Sequence, residues 1–73
     1  MLGEKEALDL AKRAAAQQRW VWIEPARATL RRPWLGEGGT WEIYSNANGL
    51  GAIARFVIDA ETGAVLDKGY IPR

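Results

Sequence analysis

The chain has 73 residues, enough for one domain, and its formal net charge of +1 gives it no strong electrostatic field. It contains no cysteine and no histidine, which excludes disulfides, thiolate chemistry, the commonest zinc ligand and the usual general base near neutral pH. A chain of this size buries only about 60% of the surface that its unfolded form exposes, so we expect a small core. Most enzyme classes are therefore disfavoured, and we expect a non-enzymatic protein with no metal ion and no cofactor.

The first residues of the chain bear on its location. Charged residues follow Met1 within a few positions. No apolar run approaches the roughly 20 residues that a membrane helix needs, and none forms the shorter apolar core of a signal peptide. The sequence therefore predicts a cytoplasmic protein without a membrane segment.

The first predicted element is a helix from about residue 4 to residue 19. Apolar residues recur there at spacings of three and four, with charged residues between them: Ala7, Leu8, Leu10, Ala11, Ala14 and Ala15. An alanine-rich face lets the helix axis approach its neighbour closely. We therefore expect this helix to lie on a sheet.

The rest of the chain reads as strands and turns. β-Branched and aromatic residues favour strands over 20–24, 26–32, 40–45, 51–58 and 64–68. The breaks at 35–39, 46–50 and 59–63 are rich in residues that accept turn geometry. The predicted fold class is α+β: one N-terminal helix packed on a four- to five-stranded antiparallel meander. The helix and a sheet over about residues 20–69 make a single domain, 1–73.

The side-chain pattern also predicts a register. Pairing Trp41 with Phe56 across the loop at 46–51 gathers a core face, made of Trp41, Ile43, Ala52, Ala54, Phe56 and Ile58. The opposite face then carries Thr40, Glu42, Tyr44, Ile53, Arg55 and Val57. The same register sets Glu42 opposite Arg55, and pairing Ile58 with Ala64 brings Asp67 to the other side of Arg55. An acid, base, acid row is therefore expected on the outer face, with Gly63 supplying the positive φ of the last turn.

Three short patterns that resemble chemical sites are better explained by structure. Residues 59–63 alternate oxygen ligands before a glycine, as a calcium loop does, but Tyr70 stands where that loop needs its last glutamate. The Gly-Leu-Gly at 49–51 precedes a predicted strand, whereas phosphate loops precede a helix. Ser45, the only serine, has no histidine to activate it. We interpret these as a turn, a hairpin loop and a structural serine.

Arginines and tryptophans in the middle of the chain suggest one alternative function. Guanidinium groups on phosphates, with aromatic rings under bases, hold single-stranded nucleic acid. The candidate residues are Arg27, Arg31 and Arg32 with Trp20, Trp22 and Trp34. The low net charge and the acidic residues on neighbouring strands argue against this function, and we expect negligible nucleic-acid binding at physiological salt.

Four tryptophans are more than so small a core easily hides. Trp20 and Trp22 share one face of an extended segment, so both rings point outward if Val21 and Ile23 face the helix. The opposite orientation buries both rings. We favour the outward orientation, because aromatic residues with arginine are typical of interfaces. The predicted interface, which also allows a homodimer, comprises Trp20, Trp22, Glu42, Tyr44, Ile53, Arg55, Val57, Val65 and Asp67.

Two stretches, "TWEIYSN" (40–46) and "ARFVIDAETGAVL" (54–66), with a glycine-containing loop between them and an alanine-spaced helix before them, resemble the PepSY domains. The resemblance covers residues 41–66 best and rests on Ile58, Asp59, Ala60, Thr62, Gly63 and Val65. It implies one helix over an antiparallel sheet. It also implies a non-catalytic domain that binds or inhibits protein partners, as such domains do beside proteases. The expected function is therefore protein binding or inhibition; a small toxin-immunity protein is a second alternative, beside nucleic-acid binding.

Overall fold

The computed structural model describes residues 2–32, 38–47, 49 and 51–72. Within these ranges the elements are, in chain order, α1 Glu4–Gln17, β1 Arg27–Arg31, β2 Thr40–Tyr44, β3 Ile53–Asp59 and β4 Val65–Ile71. The strands form one antiparallel sheet in the order β1-β2-β3-β4. The predicted α+β class, a helix packed on an antiparallel meander, is therefore confirmed with four strands. No helix in the described ranges is long and apolar enough to span a bilayer.

The core lies between α1 and one face of the sheet. Three alanines of α1 and five residues of β2 and β3 are buried there, together with Ala60: Ala7, Ala11, Ala15, Trp41, Ile43, Ala54, Phe56 and Ile58. Small side chains on the helix let its backbone approach the larger side chains of the sheet. The strict alternation of burial along β2 and β3 agrees with the predicted faces, although Ala52 precedes β3 and is only half-buried.

α1 ends at Gln17, two residues before the predicted end. Arg19 has a φ of 60°, a left-handed conformation that cannot continue a helix. The N–H of Trp20 donates to the carbonyl of Ala15 at 2.9 Å, and the N–H of Arg19 donates to Ala16 at 3.1 Å. These two bonds satisfy carbonyls of the last turn and redirect the chain across the core.

Residues 20–24 do not form the predicted strand, although they are described. Their backbone reaches the loop after β2 instead of a neighbouring strand: Ile23 accepts from the Asn46 N–H at 2.6 Å, and Pro25 accepts from Ala47 at 2.8 Å. Alternating side chains indicate an extended segment, and pairing partners decide whether that segment becomes a strand. The segment therefore connects α1 to β1 without joining the sheet.

The two tryptophans of this segment face inward, which corrects the orientation expected from the sequence. The Trp20 ring stacks on Tyr70 with centroids 5.3 Å apart and lies 5.7 Å from Phe56. Trp22 also packs against the core, whereas Val21 is 55% exposed. Two indole rings bury far more apolar surface than one valine, so this orientation prevails. The Trp22 Nε1 atom is buried without a hydrogen-bond partner among the described residues, a cost that burial of the ring outweighs.

The register of β2 on β3 differs from the predicted one by two residues. Trp41 lies opposite Ile58, and Ile43 lies opposite Phe56. A shift of two leaves every side chain on its predicted face and changes only its neighbour. The loop between the strands is longer than expected because the ladder ends at Ser45 and Ala54. The Ser45 N–H donates to the Ala54 carbonyl at 2.9 Å, and the Ser45 hydroxyl accepts the Ala54 N–H at 2.8 Å.

Candidate functional site

α1, the only helix in the described ranges, packs on one face of the sheet. We call the other face, which points away from α1, the outer face. Its members alternate with the core residues along each strand. They are Arg27, Thr29 and Arg31 of β1, Thr40, Glu42 and Tyr44 of β2, Ile53, Arg55 and Val57 of β3, and Asp67, Gly69 and Ile71 of β4. Six of the nine predicted interface residues therefore share one surface: Glu42, Tyr44, Ile53, Arg55, Val57 and Asp67.

The apolar part of the outer face runs across β2, β3 and β4. Tyr44, Ile53 and Val57 are half-buried, although the helix lies on the other side of the sheet. Ile53 is paired with Ile71, which is 53% exposed. These four side chains present apolar surface between charged groups, the composition that protein interfaces share.

Val65 does not belong to the outer face, which corrects the sequence expectation. The pairing of β3 with β4 is irregular between Val57 and Ile58: Ile58 lies opposite Val65, and Val57 lies opposite Asp67. This irregularity adds one residue to β4 and moves Val65 to the side of the buried Ile58. Val65 is 42% exposed, and the β4 residues on the outer face are Asp67, Gly69 and Ile71.

The predicted acid, base, acid row is divided into two separate ion pairs. Arg55 Nη1 lies 3.0 Å from Asp67 Oδ2, a diagonal contact rather than the direct opposition that was predicted. Glu42 is directed to the other edge of the sheet, where its Oε2 lies 3.5 Å from Arg31 Nε. The Tyr44 hydroxyl donates to Glu42 Oε1 at 2.9 Å. Each charge of the predicted row therefore has its own partner within the chain.

The Arg55 guanidinium lowers the pKa of Asp67, and the Lys68 backbone N–H lowers it further. Because the folded pKa lies below the unfolded one, the pair's contribution to stability is complete above the unfolded pKa of about 3.9 and is lost as pH falls through the folded value. The Asp67 side chain is 62% exposed and the Arg55 side chain 38%, so solvent screens the pair and the contribution is small. The ion pair is therefore best detected through the titration of Asp67 itself, not through its effect on stability.

We expect Arg55→Gln to raise the titration midpoint of Asp67 toward the ordinary aspartate value, measured by NMR of the side-chain carboxyl carbon. Arg31→Gln is the matched control, because Arg31 pairs with Glu42 and should leave the Asp67 midpoint in place. An Asp67 midpoint that does not respond to Arg55→Gln would contradict the pairing.

Ser45 has a structural role. It is fully buried, and its Oγ accepts the Ala54 N–H at 2.8 Å, so the hydroxyl replaces a carbonyl where the β2–β3 ladder ends. Ser45 was excluded as a nucleophile from the sequence, but this bond was not predicted. A small polar residue at the end of the alternating stretch 40–45 was the available signal.

The turn at 59–63 is closed by the protein itself. Asp59 Oδ1 accepts the Glu61 N–H at 2.8 Å and the Thr62 N–H at 3.3 Å, and Gly63 has a φ of 79°. The carboxylate therefore caps the turn, in agreement with the structural interpretation of this stretch. In the Gly-Leu-Gly stretch, Leu50 lies outside the described residues.

The arginines and tryptophans of the nucleic-acid alternative lie on different sides of the sheet. Arg27 and Arg31 are exposed on the outer face, and Arg31 is paired with Glu42. Trp20 and Trp22 pack on the helix side. Trp34 lies outside the described residues. The described part of the chain therefore places no indole ring beside these arginines.

The sequence prediction ended the last strand at residue 68, whereas β4 continues to Ile71. Gly69 directly follows the predicted end, and glycine is depleted in strands. The two β-formers after it, Tyr70 and Ile71, were the signal that could have extended it.

Comparisons with protein-family models, with curated proteins and with solved structures find no match to this chain. The resemblance to PepSY domains therefore rests on the residues quoted for it and on nothing else.

Proposed function

We propose that this protein is a non-enzymatic protein-binding domain and that its outer face binds a second copy of the chain. The observation that carries the proposal is the composition of that face. Tyr44, Ile53 and Val57 offer apolar contacts, and two ion pairs, Arg31 with Glu42 and Arg55 with Asp67, lie around them.

Paired charges reduce the cost of covering this face. An isolated charge loses its hydration when an interface closes over it, whereas Arg55 and Asp67 keep a partner at 3.0 Å. In a two-fold contact each copy also presents both an acid and a base to the other, so the charges can exchange partners across the axis. The outer face is therefore suited to a copy of itself.

The size of the face sets the expected affinity. Four strands about 4.8 Å apart, each contributing about five residues of 3.3 Å, give the face a flat area on the order of 300 Å² per copy. Standard interfaces bury about 800 Å² per partner, so this contact should be weak. We expect a dissociation constant on the order of 10–100 µM, a regime in which stability depends on protein concentration.

The PepSY resemblance supports a protein as the partner and suggests a protease as a second occupant of the same face. Nucleic-acid binding and toxin immunity have no specific observation in their favour. Self-association can be tested on the purified chain alone, because it needs no partner other than the protein itself.

We expect the wild type to sediment as a concentration-dependent dimer at tens of micromolar, and Ile53→Asp to be monomeric over the same range. Ile53 is half-buried on the outer face, so a carboxylate there should block the contact without unfolding the monomer. Val21→Asp is the matched control, because Val21 is exposed on the connection between α1 and β1. A monomeric wild type at these concentrations, or equal loss of the dimer in Val21→Asp, would overturn the proposal.

A further inference from the structure

β4 forms a free edge of the sheet. It runs from Val65 to Ile71, pairs only with β3, and lies beyond the strands that α1 covers in the described part of the chain. Leu66 and Ile71 are more than half exposed along it. Such an edge is a template for another strand unless charges or proline protect it.

The opposite edge of the sheet is protected in this way. β1 has only five residues, and exposed arginines, Arg27 and Arg31, stand at its two ends. Short, charged edge strands resist pairing. β4 is longer and more apolar, so the two edges of the sheet are not equivalent.

Gly69 lies inside β4 without a structural reason in the described part of the chain. Its φ lies outside the left-handed region, and, apart from Gly69 itself and its two chain neighbours, no described residue has an atom within 4 Å of the position that a Cβ would occupy. Glycine weakens a strand interior and occurs there at bulges, at bends, and where a ligand or another backbone approaches closely. The missing side chain therefore leaves room for a backbone from outside this chain.

The direction of the backbone groups on β4 is also defined. The Lys68 N–H donates to its neighbour's carboxylate, Asp67 Oδ1, at 2.9 Å, so it points away from β3. Alternation along the strand directs the N–H and C=O of Tyr70 to the same free edge. Asp67 therefore covers one donor of the edge while its other oxygen is held by Arg55.

We infer that the free edge of β4 pairs antiparallel with β4 of a second copy, around a two-fold axis at Gly69. An axis at Asp67 would oppose two carboxylates, and an axis at Lys68 would oppose two ammonium groups. The axis at Gly69 sets Lys68 opposite Tyr70 of the second copy, twice. Both residues direct their backbone groups to the edge, so each of these two pairs can exchange both hydrogen bonds. The glycines meet at the closely spaced position between them.

This contact extends the four-stranded sheet to eight strands and uses the edge instead of the outer face, so it does not depend on the proposed function. It offers few backbone hydrogen bonds, and Asp67 must release the Lys68 N–H before pairing. We therefore expect it near millimolar concentration, above the range in which the outer face associates.

The test uses Ile53→Asp, in which the outer face is blocked, and follows amide hydrogen exchange by NMR at about 20 µM and about 1 mM protein. The Tyr70 N–H is expected to exchange about twofold more slowly at the higher concentration, because about half of the chains are paired when the protein concentration equals the dissociation constant. The N–H of Leu30, which alternation directs to the free edge of β1, is expected to show no change. Exchange at Tyr70 that is independent of concentration, or protection that falls on β1 instead, would overturn the inference.

Two further variants in the same background separate the edge backbone from the side chains. Lys68→Pro removes a donor that β3 does not use and should abolish the concentration dependence, whereas Lys68→Ala keeps the N–H and should retain it. Asp67→Ala uncovers the Lys68 N–H and should lower the concentration at which Tyr70 becomes protected. If Lys68→Pro fails to fold, the Asp67→Ala variant provides the test. Weaker protection of the Tyr70 N–H in this variant than in Ile53→Asp alone would contradict the pairing.

Discussion

Phe56→Ala is expected to lower the free energy of unfolding by about 3–5 kcal/mol, the largest effect of any single change that we propose. Phe56 is fully buried at the middle of β3, lies opposite Ile43, and contacts the Trp20 ring at a centroid distance of 5.7 Å. Truncation removes the transfer energy of the ring and leaves a cavity that alanines on α1 are too small to fill. A domain of this length has a total stability of about 4–11 kcal/mol, so the variant should be close to unfolding at room temperature.

Chemical denaturation of Phe56→Ala beside Val57→Ala provides the measurement. Val57 is the next residue on the same strand, but it lies half-buried on the outer face, so its truncation should cost only about 1 kcal/mol. Equal losses in the two variants would contradict the assignment of the core to the helix side of the sheet.

Ser45→Ala is expected to cost about 1–3 kcal/mol, although it removes a single oxygen. The Ala54 N–H donates only to this hydroxyl among its described contacts, at 2.8 Å, and both residues are fully buried. Without Ser45 Oγ the donor stays out of water without an acceptor. The penalty is the lost hydration of the N–H group, which exceeds the net value of an ordinary hydrogen bond.

Thr62→Ala is the matched control for Ser45→Ala in the same denaturation experiment. The Thr62 hydroxyl also accepts a backbone N–H, from Ala64 at 3.2 Å, but this bond is exposed and water can replace it. Its loss should lie within about 0.5 kcal/mol. If Ser45→Ala is no more costly than Thr62→Ala, burial of the Ala54 donor is not the cause.

The sequence predicted the layers of this fold because local periodicity carries that information. Alanines at helical spacing placed one face of α1 on the sheet, and alternation along β2 and β3 assigned Phe56 to the core and Val57 to the outer face. These assignments depend only on which side of an element a residue lies on. The assignments therefore hold even when the register of strand pairing is predicted wrongly by two residues.

Register and orientation were less accessible for a definite physical reason. A shift of two residues preserves every face, so alternation cannot distinguish Trp41 opposite Phe56 from Trp41 opposite Ile58. The length of the loop decides, and that length depends on the buried Ser45 bond. Trp20 likewise has the same pattern in either orientation, and its tertiary contacts with Tyr70 and Phe56 select the inward one.

The sequence predicted which residues share the candidate site more accurately than it predicted the contacts between them. The outer face gathers Tyr44, Ile53 and Val57 as expected, because alternation suffices for that. The ion pairs changed partners with the register, and the irregularity between Val57 and Ile58 moved Val65 off the face. Irregularities of this kind add one residue to a strand without leaving a mark in its hydrophobic pattern.

The most direct test of the central claim, that the outer face binds a second copy, is to follow backbone amide chemical shifts of the wild type between about 10 and 200 µM. We expect the shifts of Glu42, Tyr44 and Val57, on the strands that carry the face, to move with concentration and those of α1 to stay constant. Shifts that do not change with concentration, or changes confined to α1, would contradict it.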